Sequence, residues 1–377
     1  FSSVSIVGGK IYTMGSFANE TPVAAEKKEE PKADSKDPRK KKKRAPVNET
    51  TAVLALDASG KILWKTNISP TGDGGGYHGP RCTPTVDEGH VYALSDVGDL
   101  VCLDAENGKE IWRVNFPKDL GGKMMSGWGY AESPTIDGDK VICSPGGKNG
   151  TLAALDKKTG KVIWRSKDFT DSASYASLVP AEIGGTHQYV VLTDADVAGI
   201  GADGSLLWKA PRKGATAVVA TPVVKDNLVF VSSGYGIGCN QFKVEGSSTA
   251  LTAAESYANK DMKVHHGGLI CLGDYVYGSN DPGILTCMSI KDGSVAWKDR
   301  SVGKGSLAYA DGRLYLRAEG SGTVALVDAS PEGYKELGQL KQPDRSHAAA
   351  WPHPVIAGGK LYLRDQDVLL CYDIKAK

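Results

Sequence analysis

Twelve side chains that could bind or transform a ligand lie in short glycine- and aromatic-rich stretches that recur along the chain. They combine aromatic rings, imidazoles, cations and one carboxylate: Tyr77, His78, Arg81, Trp128, Tyr130, Glu132, Tyr175, His265, His266, Lys304, Trp351 and His353. Rings can stack on a flat molecule, cations can hold an anion, and a carboxylate can take a proton or a metal ion. If the stretches converge, they predict a site for a planar, acidic small molecule. The alternative is a hydrogen-bonded plug, and the set singles out no catalytic residue.

Two narrower kinds of site have weaker support. The glycine-rich segment Gly72–Gly76 could cradle a phosphate with its backbone N–H groups, but neither a helix nor a Gly-Lys-Ser/Thr sequence follows it. His265 and His266 could bind a metal ion, but neighbouring residues of a strand point to opposite faces, so at most one can face a shared site. A metal ion would then need partners from other stretches: His78, His353 or Glu132.

The elements that must position these residues are β-strands, because one strand–turn–strand motif recurs along the chain. The segment Thr151–Trp164 has an apolar run, a tight turn at Thr159-Gly160 and a second run ending in tryptophan. Close copies occupy Leu54–Trp64 and Leu100–Trp112, and looser copies occupy Ile200–Trp208 and Met288–Trp297. A period of roughly 40 to 50 residues built only from strands predicts a radial or stacked β array.

Turn dipeptides give the number of units. Each precedes a β-rich run, and there are eight: Gly8-Gly9, Glu88-Gly89, Gly138-Asp139, Gly184-Gly185, Asp226-Asn227, Gly273-Asp274, Asp311-Gly312 and Gly358-Gly359. Such pairs supply the positive φ angles of tight hairpins. With four short strands per unit, they predict an all-β fold, an eight-bladed β-propeller of four-stranded antiparallel blades formed by residues 1–377 as one domain. The repeat tryptophans should wedge between blades, with Tyr257 near the expected place in the unit without one.

The propeller topology explains how distant residues could form one site. Every blade presents the same strand end to one mouth of the central channel, so the stretches before the innermost strands should meet there. The first of these strands is expected within residues 1–7. The last unit, Val355–Ile374, supplies only three strands, so the last blade lacks its outer strand in this chain. We expect that residues once preceding Phe1 completed this blade.

Residues 17–51 interrupt the first unit between its second and third strands. They are rich in Lys, Glu, Pro and Ala and include the basic run Arg39–Arg44. A segment with so few apolar residues cannot bury enough surface to order itself, so we expect a flexible charged insert. Contact with an anionic surface and a nuclear-localisation-like role are the alternatives.

Composition excludes some classes of partner and leaves others open. A formal net charge of +1 gives no reason to expect nucleic acid. The longest apolar runs are strand-sized, so we expect no transmembrane helix. The seven cysteines include no CxxC pair, and Cys102, Cys287 and Cys371 share one register in their units. They are expected to be small buried residues of strands rather than disulfide or metal ligands.

The third repeat carries a family resemblance in Leu155-Asp156, Thr159-Gly160-Lys161 and Trp164. This pattern resembles the repeat of the quinoprotein-type (PQQ-like) β-propeller family, and the resemblance covers essentially the whole chain. The family includes dehydrogenases that use pyrroloquinoline quinone (PQQ) and BamB-like scaffold proteins without a cofactor. Membership implies an eight-bladed propeller and, for most members, export to the periplasm or cell surface, which a removed leader would fit. The fold alone does not assign a function.

Two functions follow from the resemblance. The first, which we favour, is a monomeric binding or scaffold module without a cofactor, whose channel mouth binds a protein partner or a small planar acidic ligand. The second is a quinoprotein dehydrogenase that holds PQQ and Ca²⁺ there and oxidises an alcohol or a sugar. The resemblance would then require a carboxylate–amide calcium site and, in the alcohol dehydrogenases, an adjacent cysteine pair. Glu132 is the one carboxylate in these stretches, and no two cysteines are adjacent, although His78, His266 and Arg81 could serve a histidine-based quinoprotein.

Overall fold

The computed structural model describes residues 2–19, 47–247, 250–346 and 348–375. They form eight antiparallel sheets, seven with four strands and one with three. The sheets are the blades of a β-propeller, so the fold class and the three-stranded last blade predicted from the repeats are confirmed. Each predicted turn dipeptide joins the first and second strands of its blade. Glu88 and Asp226 adopt φ angles of 43° and 54° there, as tight hairpins require.

The strands follow one another from the inner to the outer edge of each blade. Blades I to IV are β1 (Ser5–Val7), β2 (Lys10–Ala18), β3 (Glu49–Leu56) and β4 (Ile62–Pro70); β5 (Thr85–Asp87), β6 (His90–Leu94), β7 (Asp99–Asp104) and β8 (Glu110–Asn115); β9 (Thr135–Asp137), β10 (Lys140–Cys143), β11 (Ala153–Asp156) and β12 (Val162–Arg165); β13 (Val179–Ile183), β14 (Thr186–Leu192), β15 (Asp196–Gly201) and β16 (Leu206–Pro211). Blades V to VIII are β17 (Val223–Lys225), β18 (Leu228–Ser233), β19 (Gly238–Glu245) and β20 (Thr252–Asn259); β21 (Val264–Leu272), β22 (Tyr275–Asn280), β23 (Ile284–Ser289) and β24 (Val295–Asp299); β25 (Gly305–Ala310), β26 (Arg313–Ala318), β27 (Val324–Asp328) and β28 (Glu336–Leu340); β29 (Val355–Ala357), β30 (Lys360–Asp365) and β31 (Val368–Asp373).

Helical structure is confined to two short segments of the described ranges, the helix α1 (Phe116–Leu120) and a 3₁₀ turn at Gly74–Gly76. In the described part of the chain, no helix has both the length and the apolar character needed to cross a membrane.

The repeat tryptophans pack between blades. The Trp64 indole N–H donates to the Ala105 carbonyl of blade II at 3.1 Å. A Cβ atom on Gly108, whose φ is +73°, would lie 2.5 Å from the same ring, so this turn glycine makes room for the preceding blade's tryptophan. Trp112 repeats this contact with the Lys157 carbonyl at 3.0 Å. The spacing that recurs in each copy of the motif thus reflects one type of contact between neighbouring blades.

Three blades depart from this contact. Tyr257 takes the place of tryptophan in blade V, as predicted, and its hydroxyl donates to the Ile290 carbonyl of blade VI at 3.0 Å. Trp208 instead donates to Gln188 Oε1 within its own blade at 2.5 Å. At blade I, a Cβ atom on the equivalent turn residue Gly60 would meet nothing within 4 Å, since the described part of blade VIII has no fourth strand.

Side-chain hydrogen bonds join the last blade to the first. The Ser3 hydroxyl of blade I donates to the His353 carbonyl at 2.8 Å. The partly buried Arg364 guanidinium of blade VIII donates to the Thr13 hydroxyl at 2.6 Å and to the Ser2 carbonyl at 3.2 Å. These contacts close the ring of blades around the channel.

The ends of the proposed insert, residues 17–51, belong to strands. Phe17 pairs with Thr50 and Ala18 pairs with Glu49 across β2 and β3. Residues 20–46, which include the basic run, lie outside the described residues. All seven cysteines are free thiols; five are buried as expected, whereas Cys271 is partly buried and Cys371 is exposed on β31.

Candidate functional site at the channel mouth

A cavity of about 630 Å³ opens at the mouth of the channel, and each of the eight blades or the segment leading into it contributes a lining residue. Eight of the twelve residues singled out from sequence line it: Tyr77, Arg81, Trp128, Tyr175, His265, His266, Trp351 and His353. They come together because the segments before the innermost strands all end at this face. The cavity therefore unites residues that are as far apart as Tyr77 and His353 in sequence.

Two loops shape one side of the cavity. The first contains the 3₁₀ turn Gly74–Gly76, and the second follows α1, whose first turn is capped by the Asn115 side chain accepting from the Lys118 N–H. A Cβ atom on Gly75, whose φ is +63°, would lie only 2.6 Å from Trp128 Cδ1. Glycine at this position therefore lets the first loop pack directly against the indole of the second.

Arg81 connects these two loops by hydrogen bonds. Its guanidinium donates to the Trp128 carbonyl at 2.6 Å and to the Tyr77 carbonyl. Desolvation by burial lowers the pKa of Arg81, and the nearby Asp96 carboxylate partly offsets the effect. Since Arg81 binds the backbone of both loops, it positions the Tyr77 and Trp128 rings at the mouth.

Aromatic rings form two groups around the opening. In the first, Tyr77 and Trp351 have ring centroids 5.5 Å apart, and His266 lies 6.0 Å from Trp351. In the second, Trp128 and Tyr175 are 5.6 Å apart. Tyr77 is 52% exposed, so part of this aromatic surface is open to solvent. Rings with polar tips in such an arrangement can hold a ligand that has a flat apolar face.

The charged groups on the other side of the cavity are paired with one another. Lys304 Nζ lies 3.0 Å from Asp281 Oδ1 and 3.4 Å from Glu319 Oε2. It also donates to His265 Nδ1 at 2.7 Å, so the neutral imidazole carries its proton on Nε2. The Trp351 indole N–H donates to Glu319 Oε1 at 2.7 Å. Lys304 is therefore held by two carboxylates and does not line the cavity.

The three histidines of the cavity wall are held neutral. Desolvation and the Lys304 charge lower the pKa of His265, and they lower that of His266 well below its usual value. Neither ring nitrogen of the buried His266 has a hydrogen-bond partner among the described residues, although its Nε2 lies 3.9 Å from Glu319 Oε2. His353 Nε2 donates to the His266 carbonyl at 2.9 Å, and burial lowers the pKa of His353.

Besides Lys304, three of the residues singled out from sequence do not line the cavity. The His78 side chain is 47% exposed and lies 3.5 Å from Glu49 Oε1. Tyr130 packs edge-on against Phe116 at 5.2 Å and donates its hydroxyl to the Pro145 carbonyl at 3.1 Å. Glu132 turns into blade III. These side chains belong to the loop surface and the blade interior instead.

Glu132 is a buried carboxyl group. It is 3% exposed, and its Oε1 accepts from the Ser144 N–H at 2.5 Å. Its Oε2 makes no hydrogen bond of acceptable geometry with a described residue. Desolvation raises the pKa of Glu132 to about 7, although contacts with Ser144 act in the opposite direction. The group thus keeps its proton to a higher pH than an exposed glutamate does.

Sequence reasoning missed a ring of hydroxyl residues in the cavity wall. In five blades, the residue two positions before the innermost strand is a serine or threonine that lines the cavity: Ser3, Thr83, Ser133, Ser177 and Thr221. Proline follows Thr83, Ser133 and Thr221, and this repeated Ser/Thr-Pro pair was an available signal. The Ser133 and Ser177 hydroxyls accept from the N–H groups of Thr83 and Ser133 in the preceding blades, at 3.1 and 3.0 Å.

Tyr235 and Glu319 were also missed, because each follows a second strand rather than preceding a first. Among the described residues, no three His, Cys, Asp or Glu side chains are grouped closely enough to hold a metal ion. The metal site left open at the sequence level, with His265 or His266 joined by His78, His353 or Glu132, is not assembled within these ranges.

Comparison with known proteins gives both a family and a fold. A family model described as outer membrane protein assembly factor BamB matches residues 49–299. BamB of Shewanella oneidensis is 30% identical over 122 residues, which cover 32% of this chain and 29% of that protein. The dehydrogenase subunit of a quinone-type alcohol dehydrogenase of Gluconacetobacter polyoxogenes is 35% identical over 124 residues, 29% of this chain and 16% of that protein. The matched part of the chain thus spans less than a third of either relative.

A solved structure supports the fold over a longer range. The crystal structure of BamB from Moraxella catarrhalis superposes with a TM-score of 0.61 at 17% identity, covering 87% of this chain and 92% of that chain. At this identity the likeness concerns the fold alone.

Proposed function

The chain belongs to the family of outer membrane protein assembly factor BamB, whose model matches more than half of it, and from this premise we propose that it is an exported binding module. Its site is the channel mouth, where it binds a ligand or a protein partner without performing a reaction. The export part of the proposal rests on the family, whose description concerns the outer membrane.

One observation carries the proposed site: every blade contributes to a single open cavity. Its volume of about 630 Å³ falls within the roughly 300–1,000 Å³ typical of small-molecule pockets. A hydrogen-bonded plug, the alternative from sequence, would fill the mouth with paired side chains. The open rings of Tyr77 and Trp128 favour a binding site over a plug.

The structure changes the argument for an acidic ligand. That expectation depended on Arg81 and Lys304 as anchors for an anion. Arg81 donates to two loop carbonyls, and Lys304 lies between two carboxylates. Binding an anion would require these cations to leave or share their partners, which costs free energy in a partly desolvated site. The proposed site therefore does not require an acidic ligand.

A quinoprotein dehydrogenase is the second candidate, and the described residues fit its cofactor poorly. Calcium takes six to eight oxygen ligands. Glu319 is the one carboxylate among the described residues that line the cavity, and it already accepts from Trp351 and faces Lys304. PQQ is a flat polyacid that would also need cations to bind it. The two cations considered from the sequence, Arg81 and Lys304, are already bound to groups of the protein.

The proposed site can be tested by location without knowing the natural ligand. A library of soluble cyclic and aromatic fragments, both charged and neutral, would be screened by ligand-observed NMR. Fragments that bind the parent chain should lose binding when Tyr77→Ala and Trp128→Ala are combined, because both rings line the mouth. The matched control is Tyr309→Ala, an exposed tyrosine outside the cavity.

If the fragments bind equally well to the double variant, the mouth is not the site and the proposal fails. The absorption spectrum of the purified protein mixed with PQQ and Ca²⁺ tests the second candidate. A shifted quinone spectrum that Tyr77→Ala/Trp128→Ala abolishes would favour the dehydrogenase over the binding module.

A further inference from the structure

The polar groups of the channel mouth divide into two classes. The charged ones are paired within the protein. Lys304 contacts Asp281 and Glu319, and Glu319 also accepts from Trp351. The Arg81 guanidinium is bound to the carbonyls of Tyr77 and Trp128. A ligand that entered this cavity would meet no charge that still lacks a counterpart among these residues.

Uncharged polar groups, in contrast, are left open. Within the described ranges, the hydroxyls of Tyr77 and Tyr235 and the indole N–H of Trp128 form no hydrogen bond, yet all three residues line the cavity. Each group sits at the tip of a ring whose face is apolar. Each of these three residues thus presents an apolar ring face with one hydrogen-bonding group beside it, and none of the three side chains is charged.

The hydroxyl ring belongs to the same cavity. Thr83 and Thr221 line it, and their hydroxyls form no hydrogen bond with any residue of the described ranges. A hydroxyl can both donate and accept, and its hydrogen rotates to suit its partner. Thr83 and Thr221, which precede blades II and V, thus offer hydroxyls that match a ligand carrying several hydroxyls of its own.

From this division we propose that the ligand of the channel mouth is an uncharged saccharide. This inference rests on the proposed function, because it names the ligand of the same site. A pyranose ring has C–H groups on its faces that can lie against Tyr77 and Trp128. Its hydroxyls lie on its rim and can pair with the phenol, indole and threonine groups. Burying such a ligand leaves no charge unpaired, whereas a flat anion would have to compete for Arg81 or Lys304.

Isothermal titration calorimetry and tryptophan fluorescence would test the inference with named probes. Maltotriose, cellotriose and triacetylchitotriose represent uncharged saccharides. Sorbitol supplies hydroxyls without a ring face, and terephthalate is a flat dianion. At least one trisaccharide should bind saturably and should do so equally at low and high salt, because no ion pair forms. Sorbitol and terephthalate should not bind.

Variants locate the binding. Tyr77→Ala should weaken trisaccharide binding about two- to tenfold, the range expected for one stacked ring. Tyr309→Ala, an exposed tyrosine away from the cavity, should not change it. Unchanged melting temperatures would establish that both variants fold.

Each other outcome overturns part of the argument. If terephthalate binds and no saccharide does, or if no probe binds, the saccharide inference is wrong, while the fragment screen decides separately whether the mouth is a site. Saccharide binding that survives Tyr77→Ala combined with Trp128→Ala would place the sugar elsewhere and overturn both proposals. Binding that weakens steeply with salt would indicate an anion site and also contradict the inference.

Discussion

Replacing Glu132 by glutamine should change how the stability of the propeller depends on pH. Glu132 is 3% exposed, and desolvation raises its pKa to about 7 from a usual value of 4.5. A carboxyl whose pKa is higher in the folded state binds its proton more tightly there than in the unfolded chain. The folded state is therefore penalised as pH rises from about 4.5 through about 7, and the penalty is complete above that range.

The size of this penalty follows from the shift. A difference of about 2.5 pKa units at about 1.36 kcal/mol per unit corresponds to roughly 3 kcal/mol. Glutamine retains an oxygen that can accept from the Ser144 N–H and carries no charge at any pH. The change of carboxyl to amide adds an offset that does not depend on pH. The stability of Glu132→Gln relative to the parent should therefore rise by about 3 kcal/mol between pH of about 4.5 and about 8.

Equilibrium urea unfolding of both proteins across this pH range is the measurement. Other groups that titrate in the same interval are present in both chains, so their contributions cancel in the difference. Glu332→Gln, at an exposed position, is the matched control and should show no such trend. A flat difference between Glu132→Gln and the parent would show that Glu132 does not become charged inside the blade, and the reasoning from burial would be refuted.

Three further predictions concern interblade packing, the mouth loops and the first blade. Trp112→Ala should lower the free energy of unfolding by about 3–5 kcal/mol through the cavity it leaves, whereas Trp128→Ala on the mouth loop should change it little; equal urea midpoints for the two variants would contradict the wedge role. Gly75→Ala should displace the Trp128 ring, seen as a shift of its indole N–H resonance in NMR, while Gly127→Ala, with nothing within 4 Å of the new Cβ, should leave it in place. Replacing residues 20–46 by a short glycine-containing turn should leave the melting temperature nearly unchanged, because Asn19 and Asn48 are already hydrogen-bonded to each other; a large drop would show that the insert packs on the propeller.

The repeat pattern predicted the architecture because each feature of it corresponds to a local physical requirement. Turn dipeptides such as Gly8-Gly9 place positive φ angles where a hairpin needs them. The glycine of the motif faces the tryptophan of the preceding blade, as Gly108 faces Trp64, so both motif residues belong to the same interblade contact. Tyr257 could be assigned to the same role from its spacing alone. Local geometry repeated eight times leaves little freedom in the fold.

The pattern was less informative where a single blade departs from the rule. Trp208 occupies the position of the repeat tryptophan, yet its indole N–H donates to Gln188 of its own blade rather than to a residue of the next blade. The segment between β19 and β20 is longer than the usual turn, and no motif glycine aligns with this ring. A one-blade exception of this kind carries no repeated signal.

For the candidate site, the sequence alone determined which residue types lie before the innermost strands, and the propeller topology then implied that these stretches share one face. Only the tertiary structure decided the direction and the partners of each side chain. Glu132 and Tyr130 turn into the blade interior, whereas Tyr77 and Trp128 turn to the cavity. Position before a strand does not fix these directions, because rotamers depend on packing neighbours that are distant in sequence. For the same reason, only the tertiary structure showed that Lys304 pairs with Asp281.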